Sequence, residues 1–281
     1  MSPPVFERAM TAGFTPGPDL LLALDIDGTL VRTDGSVSGR VRSAVRELRE
    51  LGTHVVLATG RSVSGVLPVL DQLGIETCPV VTSNGAVCAR IDTVLAGRHE
   101  ITDVVTFDPE PALRLLRGFL PDGLFAIERA GEGLLVSSPF PDGELTEPVT
   151  IVDFEVLCEA PASRVTVRDL VLGSDDIRTI VARSGLTDVT YAIGWTAWLD
   201  LTPPGVTKAS GLEILRERLE VPAGASLAVG DGHNDVAMLR WARLGVAMGG
   251  SGAEALAAAD AVTGHVDDDG LAIVLESLLR R

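Results

Sequence analysis

Five short apolar runs, each ending in polar or glycine residues, constrain the fold of this chain most. They read LLLALDI, HVVLATG, CPVVTSNG, SLAVGDG and LGVAMGG. Short runs of this composition are typical of strands that are buried on both faces of a parallel sheet. Amphipathic segments lie between them, and strands that alternate with helices favour an α/β fold. The sequence therefore predicts an α/β protein with a doubly wound parallel sheet.

Helical periodicity and turn residues divide the chain further. Helices of the main sheet are predicted at residues 37–51, 62–73, 208–219 and 234–242. Between residues 86 and 191 the runs shorten, and turn sequences such as PDG and AGEG become frequent. Helices at 109–120 and 175–184 and strands at 125–129, 133–137, 164–170 and 189–193 are expected there.

These differences predict three parts of the chain. Residues 86–191 are expected to form a smaller α+β cap domain that is inserted into the core. The core itself is expected to comprise residues 19–85 and 192–281. Residues 1–18 contain several Pro and Gly residues and are expected to form a flexible N-terminal tail.

The composition excludes several classes of partner. The formal net charge is −16, so a broad nucleic-acid or anionic-membrane surface is not expected, although one cationic pocket would suffice for a small anionic substrate. Cys78, Cys88 and Cys158 form no Cys-x-x-Cys pair, which favours buried thiols in a reducing compartment.

No apolar stretch approaches the roughly 20 residues that span a bilayer, and the N-terminus lacks a signal-peptide pattern. The sequence predicts a cytoplasmic location and leaves the oligomeric state unknown.

Polar side chains follow the apolar runs. Because the carboxyl ends of parallel strands share one edge of a sheet, where ligands bind, we expect these side chains to converge. They are Asp25, Asp27, Thr59, Ser83, Asn84, Asp231, Asn234 and Asp235, together with Lys208 at the start of a predicted helix.

This set is suited to phosphoryl transfer. Asp25, at the tip of the first strand, is the candidate nucleophile, because a carboxylate can attack phosphorus and form an aspartyl-phosphate. Asp27 is placed to protonate the leaving oxygen and then to deprotonate the attacking water. Gly28 permits the sharp turn after this pair.

The crowded carboxylates predict a magnesium site. Mg²⁺ prefers a few carboxylate oxygens together with water and substrate phosphate oxygens. Asp25, the main-chain carbonyl of Asp27, and Asp231 could supply the protein ligands, while Asp235 is either a ligand or a carboxylate behind the ligands. Thr59 offers a hydroxyl group to the phosphoryl oxygens, and Lys208 offers a positive charge to the phosphate and Asp25.

These motifs resemble the haloacid dehalogenase-like phosphohydrolases, in particular the Cof-type subfamily. ALDIDGTL resembles the first family motif, VVLATGR the second, GVTKASGL the third and GDGHNDVAML the fourth. SNGA and the closing GVAMGGSGAEALAAADAVT also resemble this subfamily, although the closing motif has Gly250 where the subfamily usually has Asn. The resemblance extends from about Leu20 to the C-terminus and is weakest in the insert, where the subfamily carries its α/β cap.

The resemblance implies a Mg²⁺-dependent phosphatase with a Rossmann-like core and the residue roles given above. It also implies that Gly60, Arg61 and Asn84 contact the substrate and that Asn234 helps to hold the phosphate or Lys208. The expected partner is a small phosphorylated substrate. A sugar phosphate is the leading expectation, with phosphates of nucleotides, pyridoxal and flavin precursors open.

Residues of the cap that would select the substrate are less defined. Arg129 and Glu132, in ERAGEGLL, are candidates for cap contacts but are equally compatible with a solvated turn. Trp195 and Trp198, in GWTAWLDL, are unusual for this subfamily and are expected to pack in the core or hinge, with one of them a candidate for the cleft. His233 is expected to be exposed.

Three alternatives fit parts of the pattern. A receiver-type signalling domain also combines a phosphorylated Asp with Thr, Lys and Mg²⁺, but it is much shorter, and its acidic pair lies on a different strand. A phosphomutase would form the same covalent intermediate, so the core motifs leave it open. A binding protein without turnover is disfavoured, because each catalytic position holds a competent residue.

Overall fold

Two β-sheets organise residues 3–194 and 197–279, which are the residues that this computed structural model describes. The strands are β1 (Leu21–Leu24), β2 (His54–Ala58), β3 (Thr77–Thr82), β4 (Val87–Asp92), β5 (His99–Val104), β6 (Leu124–Arg129), β7 (Gly133–Val136), β8 (Val149–Ile151), β9 (Arg164–Arg168), β10 (Thr190–Ile193), β11 (Trp198–Thr202), β12 (Ser226–Gly230), β13 (Leu244–Ala247) and β14 (Ala261–Val262). The α-helices are α1 (Gly39–Glu50), α2 (Val63–Leu73), α3 (Glu110–Phe119), α4 (Phe154–Glu159), α5 (Ser174–Ser184), α6 (Lys208–Arg218), α7 (Val236–Trp241), α8 (Ala253–Ala258) and α9 (Gly270–Leu279).

The large sheet has the order β14-β13-β12-β1-β2-β3-β4-β5. Its strands from β14 to β3 are parallel, and β4 and β5 extend it as antiparallel strands. Helices cover both faces: Leu22 and Leu24 share a core with residues of α1, α2 and α9, whereas Leu21 and Ala23 share a second core with residues of α6 and α7. The predicted α/β fold with a doubly wound sheet is confirmed.

The local sequence explains where the helices of this sheet begin and end. Ser38 and Ser62 cap α1 and α2, because each side chain accepts a hydrogen bond from a backbone N–H in the first turn. Gly74 ends α2 in the left-handed conformation that favours glycine. The predicted helix 62–73 therefore forms despite the internal Pro68.

The small sheet has the order β10-β11-β9-β6-β7-β8 and is antiparallel except between β7 and β8. One face packs against α3, α4 and α5 through a core that includes Leu116, Leu157 and Ile177. Polar side chains from the other face, among them Glu128 and Arg164, contact the loops at the edge of the large sheet. The α+β character predicted for the insert is confirmed.

Sheet membership differs from the expected boundaries of the insert. Strands β4 and β5, within the stretch assigned to the cap, belong to the large sheet, because β4 pairs with β3 along its whole length. Strand β11, within the stretch assigned to the core, belongs to the small sheet and pairs with β9. By sheet membership the inserted unit therefore spans residues 105–202.

The N-terminal segment was expected to be a flexible tail, but its described residues pack against the large unit. Phe6 and Phe14 are buried in the core that contains α9, and Val5 forms a bridge with Val262 next to the edge of the sheet. The physical reason is the apolar surface of the two phenylalanine rings, which outweighs the turn-forming Pro and Gly residues around them. In the described part of the chain, none of the helices combines the length and the apolar character that a membrane crossing requires.

Replacement of Phe14 tests this docking. Phe14 is 7% exposed, so we expect Phe14→Ala to lower the free energy of unfolding by about 3 kcal/mol, which urea denaturation would measure. Phe119 is 40% exposed, and the matched control Phe119→Ala should lower it by less than about 1 kcal/mol. Equal effects of the two substitutions on the free energy of unfolding would contradict the packing of the N-terminal segment against the large unit.

Candidate active site

Polar residues from four parallel strands meet at the carboxyl edge of the large sheet. Asp25 follows β1, Thr59 follows β2, Asn84 lies just after β3, and Asp231 follows β12. Because these strands are adjacent and parallel, their ends lie side by side. The edge borders a cavity of about 890 Å³ that the small sheet closes on the opposite side.

Lys208 connects two carboxylates at this edge. Its Nζ lies 2.6 Å from Asp25 Oδ1 and 2.7 Å from Asp235 Oδ1, and the lysine side chain is 0% exposed. Lys208 is the first residue of α6, and the Thr207 side chain caps this helix by accepting a hydrogen bond from the Ser210 N–H. The structure thus places Lys208 beside Asp25.

A glycine contact sets the position of Lys208. Gly85 has a φ of +104°, and a Cβ atom added there would lie 1.9 Å from the carbonyl oxygen of Thr207. The turn after β3 can therefore approach the start of α6 only without a side chain at position 85. This approach fixes the helix start next to Asp25.

Three buried carboxylates share the single positive charge of Lys208. Ligand oxygens of Asp25, Asp231 and Asp235 lie within 4.8 Å of one another. Burial raises the pKa of Asp25 well above its usual range, and the neighbouring carboxylate of Asp235 raises it further, although Lys208 opposes the shift. Burial and the charge of Asp235 also raise the pKa of Asp231 to about 6. The cluster thus holds more carboxyl groups than cations, an imbalance that protons or a further cation can offset.

Lys208 remains protonated in this environment. Burial alone would lower the pKa of its ammonium group, but the carboxylates of Asp235 and Asp25 outweigh burial and raise it. The lysine therefore carries a fixed positive charge at neutral pH.

Asp235 is held by protein donors on both carboxylate oxygens. Oδ1 accepts from Lys208, while Oδ2 accepts from the backbone N–H groups of Asp231 at 2.9 Å and Gly232 at 2.8 Å. These bonds orient the turn that carries Asp231. Of the carboxylates in the cluster, Asp235 is thus the one most occupied by protein donors.

Asp27 differs from the other carboxylates in its exposure. Its side chain is 57% exposed and forms two hydrogen bonds with Arg61, with Nε–Oδ2 at 2.9 Å and Nη2–Oδ1 at 2.5 Å. Gly28 has a φ of +79°, and a Cβ atom there would lie 2.5 Å from Asp231 Oδ2. The Asp231 carboxylate can therefore lie close to the backbone of residue 28, in the turn after β1, because this residue has no side chain.

The remaining predicted site residues lie around the same cavity. Thr59 is buried and accepts a hydrogen bond from the Arg61 N–H through Oγ1. Asn234 donates to Asn84 Oδ1 at 2.9 Å, and Asn84 donates to Asp200 of the small sheet. The predicted residues that line the cavity are Asp25, Asp27, Thr59, Gly60, Arg61, Asp231 and Asn234. Asn84 and Lys208 line an adjoining pocket instead.

A buried polar network on the small sheet was missed by sequence reasoning. Arg164 Nε lies 2.8 Å from Glu128 Oε2, and Arg164 Nη1 donates to the carbonyl of Gly60 at 2.7 Å. The hydroxyl of Ser83 also lies 2.8 Å from Glu128. The available signal was the presence of charged residues inside otherwise apolar strands, but it did not indicate their partners.

The candidates for cap contacts have different positions. Arg129 and Glu132 form an ion pair with an N–O distance of 2.5 Å, and both side chains are exposed. Neither belongs to the described residues that line the cavity. Trp198 lines the cavity and donates from Nε1 to Asp200 Oδ1 at 3.0 Å, whereas Trp195 lies outside the described residues.

His233 is less exposed than expected. It stacks on Tyr191 of β10 with ring centroids 6.0 Å apart, and its Nδ1 atom is buried without a hydrogen-bond partner among the described residues. Stacking on the small sheet explains why a residue at the start of a helical turn is partly covered.

The donor set fits a divalent cation bound by oxygen ligands. Asp25 and Asp231 provide carboxylate oxygens within 4.8 Å of each other, next to a cavity, and the cluster carries more negative than positive charge. Hard cations such as Mg²⁺ prefer such carboxylate sites and retain several water ligands.

Comparisons with other proteins show which family and which fold this chain resembles. The sequence profile of the haloacid dehalogenase-like hydrolases matches residues 22–116 and 139–275. A phosphoglycolate phosphatase of Natronomonas pharaonis is 30% identical over 91% of this chain and 96% of its own length. The 5-amino-6-(5-phospho-D-ribitylamino)uracil phosphatase YitU of Bacillus subtilis is 28% identical over 91% of this chain and 96% of its own length. The structure of the phosphatase BT1666 from Bacteroides thetaiotaomicron aligns with a TM-score of 0.73 at 25% identity, covering 95% of this chain and 96% of the other.

The raised pKa of Asp231 predicts a pH-dependent stability when divalent cations are removed. A carboxyl group whose pKa rises from 3.8 to about 6 on folding stabilises the folded protein at pH values below 3.8, and this contribution is lost as the pH rises through 6. In excess EDTA at pH 7.5, we therefore expect Asp231→Asn to be more stable than wild type by on the order of 2 kcal/mol.

Thermal and urea unfolding between pH 4 and pH 8 would measure this difference, which should shrink towards pH 4. Asp122→Asn, which changes an exposed carboxylate, is the matched control and should follow the wild-type profile. A constant difference between Asp231→Asn and wild type across this pH range would contradict the prediction.

Proposed function

The chain belongs to the haloacid dehalogenase-like hydrolases and is a phosphatase, and we propose that it is a Mg²⁺-dependent enzyme that hydrolyses a small phosphorylated metabolite through an aspartyl-phosphate on Asp25. The observation that carries this proposal is the 2.6 Å ion pair between the buried Lys208 and Asp25, which lines the cavity. Lys208 opposes the rise in the pKa of Asp25 that burial causes, and a bound cation would further favour the ionised form, which is the form that attacks phosphorus.

Two carboxylates divide the chemistry in the proposed reaction. Asp25 attacks phosphorus while Asp27 gives a proton to the leaving oxygen, which produces the alcohol and an aspartyl-phosphate. Asp27 then removes a proton from a water molecule that attacks the phosphorus, so that inorganic phosphate leaves and both carboxyl groups return to their starting states. The exposure of Asp27 on the cavity supports its role in proton transfer, because it can reach both the leaving group and water.

Arg61 connects substrate binding to this proton transfer. Its guanidinium group donates hydrogen bonds to both oxygens of Asp27. A phosphoryl oxygen of the substrate would compete for the same guanidinium group and thereby free the Asp27 carboxyl group to reach the leaving oxygen. Thr59, Gly60, Asn84 and Asn234 are proposed to complete the phosphate site, since they surround the same edge of the sheet.

The proposed magnesium ion would be held by the side chains of Asp25 and Asp231 and by the main-chain carbonyl of Asp27. When bound, it would neutralise charge on the phosphoryl oxygens and on the crowded carboxylates. Asp235 is proposed to orient these ligands without binding the ion, because both of its oxygens already accept hydrogen bonds from protein donors.

Two isosteric substitutions test the roles of the carboxylates. Asp25→Asn should lower kcat by at least about 1,000-fold, because the nucleophile is lost. Asp27→Asn should lower kcat by about 100-fold and allow phosphoenzyme to accumulate, because the nucleophile remains while the acid and base are lost. Release of inorganic phosphate and intact-protein mass spectrometry would measure these effects.

Asp122→Asn is again the control and should retain wild-type turnover. Substantial activity in Asp25→Asn would refute the nucleophile, and an isomeric sugar phosphate in place of inorganic phosphate would identify a phosphomutase instead.

Metal dependence is tested separately. We expect excess EDTA to abolish phosphate release and added Mg²⁺ to restore it, since Lys208 alone does not balance the three buried carboxylates. Isothermal titration of the metal-free protein with Mg²⁺ should show binding that Asp231→Asn weakens. Undiminished turnover in EDTA would count against the metal site.

A further inference from the structure

The wall of the cavity opposite Asp25 carries an excess of negative charge. Its centre is a buried cluster of Glu128, Glu147, Arg164 and Asp200, which we call the cap cluster. Arg164 Nε lies 2.8 Å from Glu128, Arg164 Nη1 lies 3.6 Å from Asp200, and Arg164 Nη2 lies 3.9 Å from Glu147. Three carboxylates thus surround one guanidinium group, with a net charge of −2 when all are ionised.

Arg164 is not available to an anionic group on the substrate. It is buried, and it already contacts Glu128 and the carbonyl of Gly60. Arg178, the other arginine of the cap that lines the cavity in the described part of the chain, is half-exposed, lies 3.9 Å from Glu254 and stands outside the cap cluster. A carboxylate or a second phosphate placed beside the cap cluster would therefore meet unfavourable charge.

Glu147 directs the unbalanced charge to the cavity. Its side chain is 7% exposed, it lines the cavity, and its Oε2 accepts from the N–H of Thr146 at 2.9 Å. Among the described residues, the cation nearest to Oε1 is Arg164 Nη2. The distance between these two atoms is 3.9 Å, which is too long for a hydrogen bond. Among the described residues, Oε1 is thus a nearly buried acceptor that lacks a strong donor.

Asp200 adds charge beside Glu147 and is fixed in place. Its Oδ1 accepts from Thr166 at 2.7 Å and from the indole of Trp198 at 3.0 Å, while Oδ2 accepts from Asn84 at 3.3 Å. These bonds leave its negative charge in place and hold it rigidly next to the cavity. The same wall therefore has two features: Glu147 Oε1, which lacks a strong donor, and the carboxylate of Asp200, which is held in a fixed position.

We infer that the substrate is a phosphomonoester whose leaving group carries a protonated amine, with Glu147 Oε1 as the acceptor for the ammonium group. This inference rests on the proposed function. If Asp25 attacks phosphorus, the leaving group lies on the opposite side of the phosphoryl group, towards the wall that carries the cap cluster. A hydroxyl group could also donate to Glu147, but it would leave the buried charge of the cap cluster unbalanced. An ammonium group provides both the donor and the missing positive charge.

The relatives do not decide this question, because their names give different leaving groups. Phosphoglycolate has a carboxylate, whereas the ribitylamino substrate has a chain of hydroxyl groups joined to an amino-substituted uracil ring. The charge of the cap cluster is a property of this chain's own residues, and it disfavours the carboxylate.

Matched pairs of substrates test the inference. Each pair has one member with an amine and one with a hydroxyl group in its place: ethanolamine phosphate with ethylene glycol phosphate, glucosamine 6-phosphate with glucose 6-phosphate, and pyridoxamine 5′-phosphate with pyridoxine 5′-phosphate. In at least one pair, we expect kcat/KM to be about tenfold or more higher for the amine. 6-Phosphogluconate, which carries a carboxylate, should be a poorer substrate than glucose 6-phosphate.

Glu147→Gln then tests the residue. This isosteric change should reduce the amine-to-hydroxyl ratio of kcat/KM to about twofold or less, because the amide carries no charge. Glu132→Gln makes the same substitution in the same unit, away from the cavity, and should keep the wild-type ratio. Circular dichroism and thermal unfolding would establish that both variants fold.

The outcomes separate the two levels of the argument. Phosphate release that depends on Asp25 but shows no preference for the amine in any pair would overturn this inference and leave the proposed function intact. An amine preference that persists in Glu147→Gln would also overturn the assignment to Glu147. Absence of phosphate release from every compound would overturn the proposed function together with the inference.

Discussion

The buried ion pair between Lys208 and Asp25 is the interaction on which the arrangement of the site depends. A fully buried ammonium group requires hydrogen-bond acceptors, and the carboxyl oxygens of Asp25 and Asp235 provide them at 2.6 and 2.7 Å. To bring them together, α6 must start beside the carboxyl end of β1, and the glycine at position 85 permits that approach. The position of the Lys208 ammonium group therefore depends on β1, on the turn after β3 and on the start of α6.

The sequence predicted the parts of the structure that have a local signal. Continuous apolar runs such as LLLAL identify strands that are covered on both faces, and the polar residues after them identify the edge where the ligands would meet. Strands β4 and β5 lack such a signal, because β5 has an alternating pattern of half-buried and exposed residues, and their position depends on antiparallel pairing with β3. The buried Phe6 and Phe14 show the same limit, since a short segment without periodicity gives no indication of where it packs.

The site shows a similar division. Asp25, Thr59, Asp231 and Lys208 could be placed together because each follows a recognisable strand or starts a helix. The cap cluster could not, because Glu128, Arg164 and Asp200 lie on three different strands of the small sheet, and their contact depends on the order of those strands. The residues at the sheet edge could thus be grouped from the sequence, whereas those on the opposite wall could not.

Hydrogen bonds connect the two units, and this has a consequence for how they separate. Glu128, Arg164 and Asp200 of the small unit bond to Ser83, Gly60 and Asn84, while the apolar contacts between the units include Ala130 against the core of the large unit and the stack of Tyr191 on His233. Separation of the units would exchange these bonds for bonds to water and would expose little apolar surface, so its heat-capacity change would be small. Each apolar core would therefore stay packed if the two units moved apart.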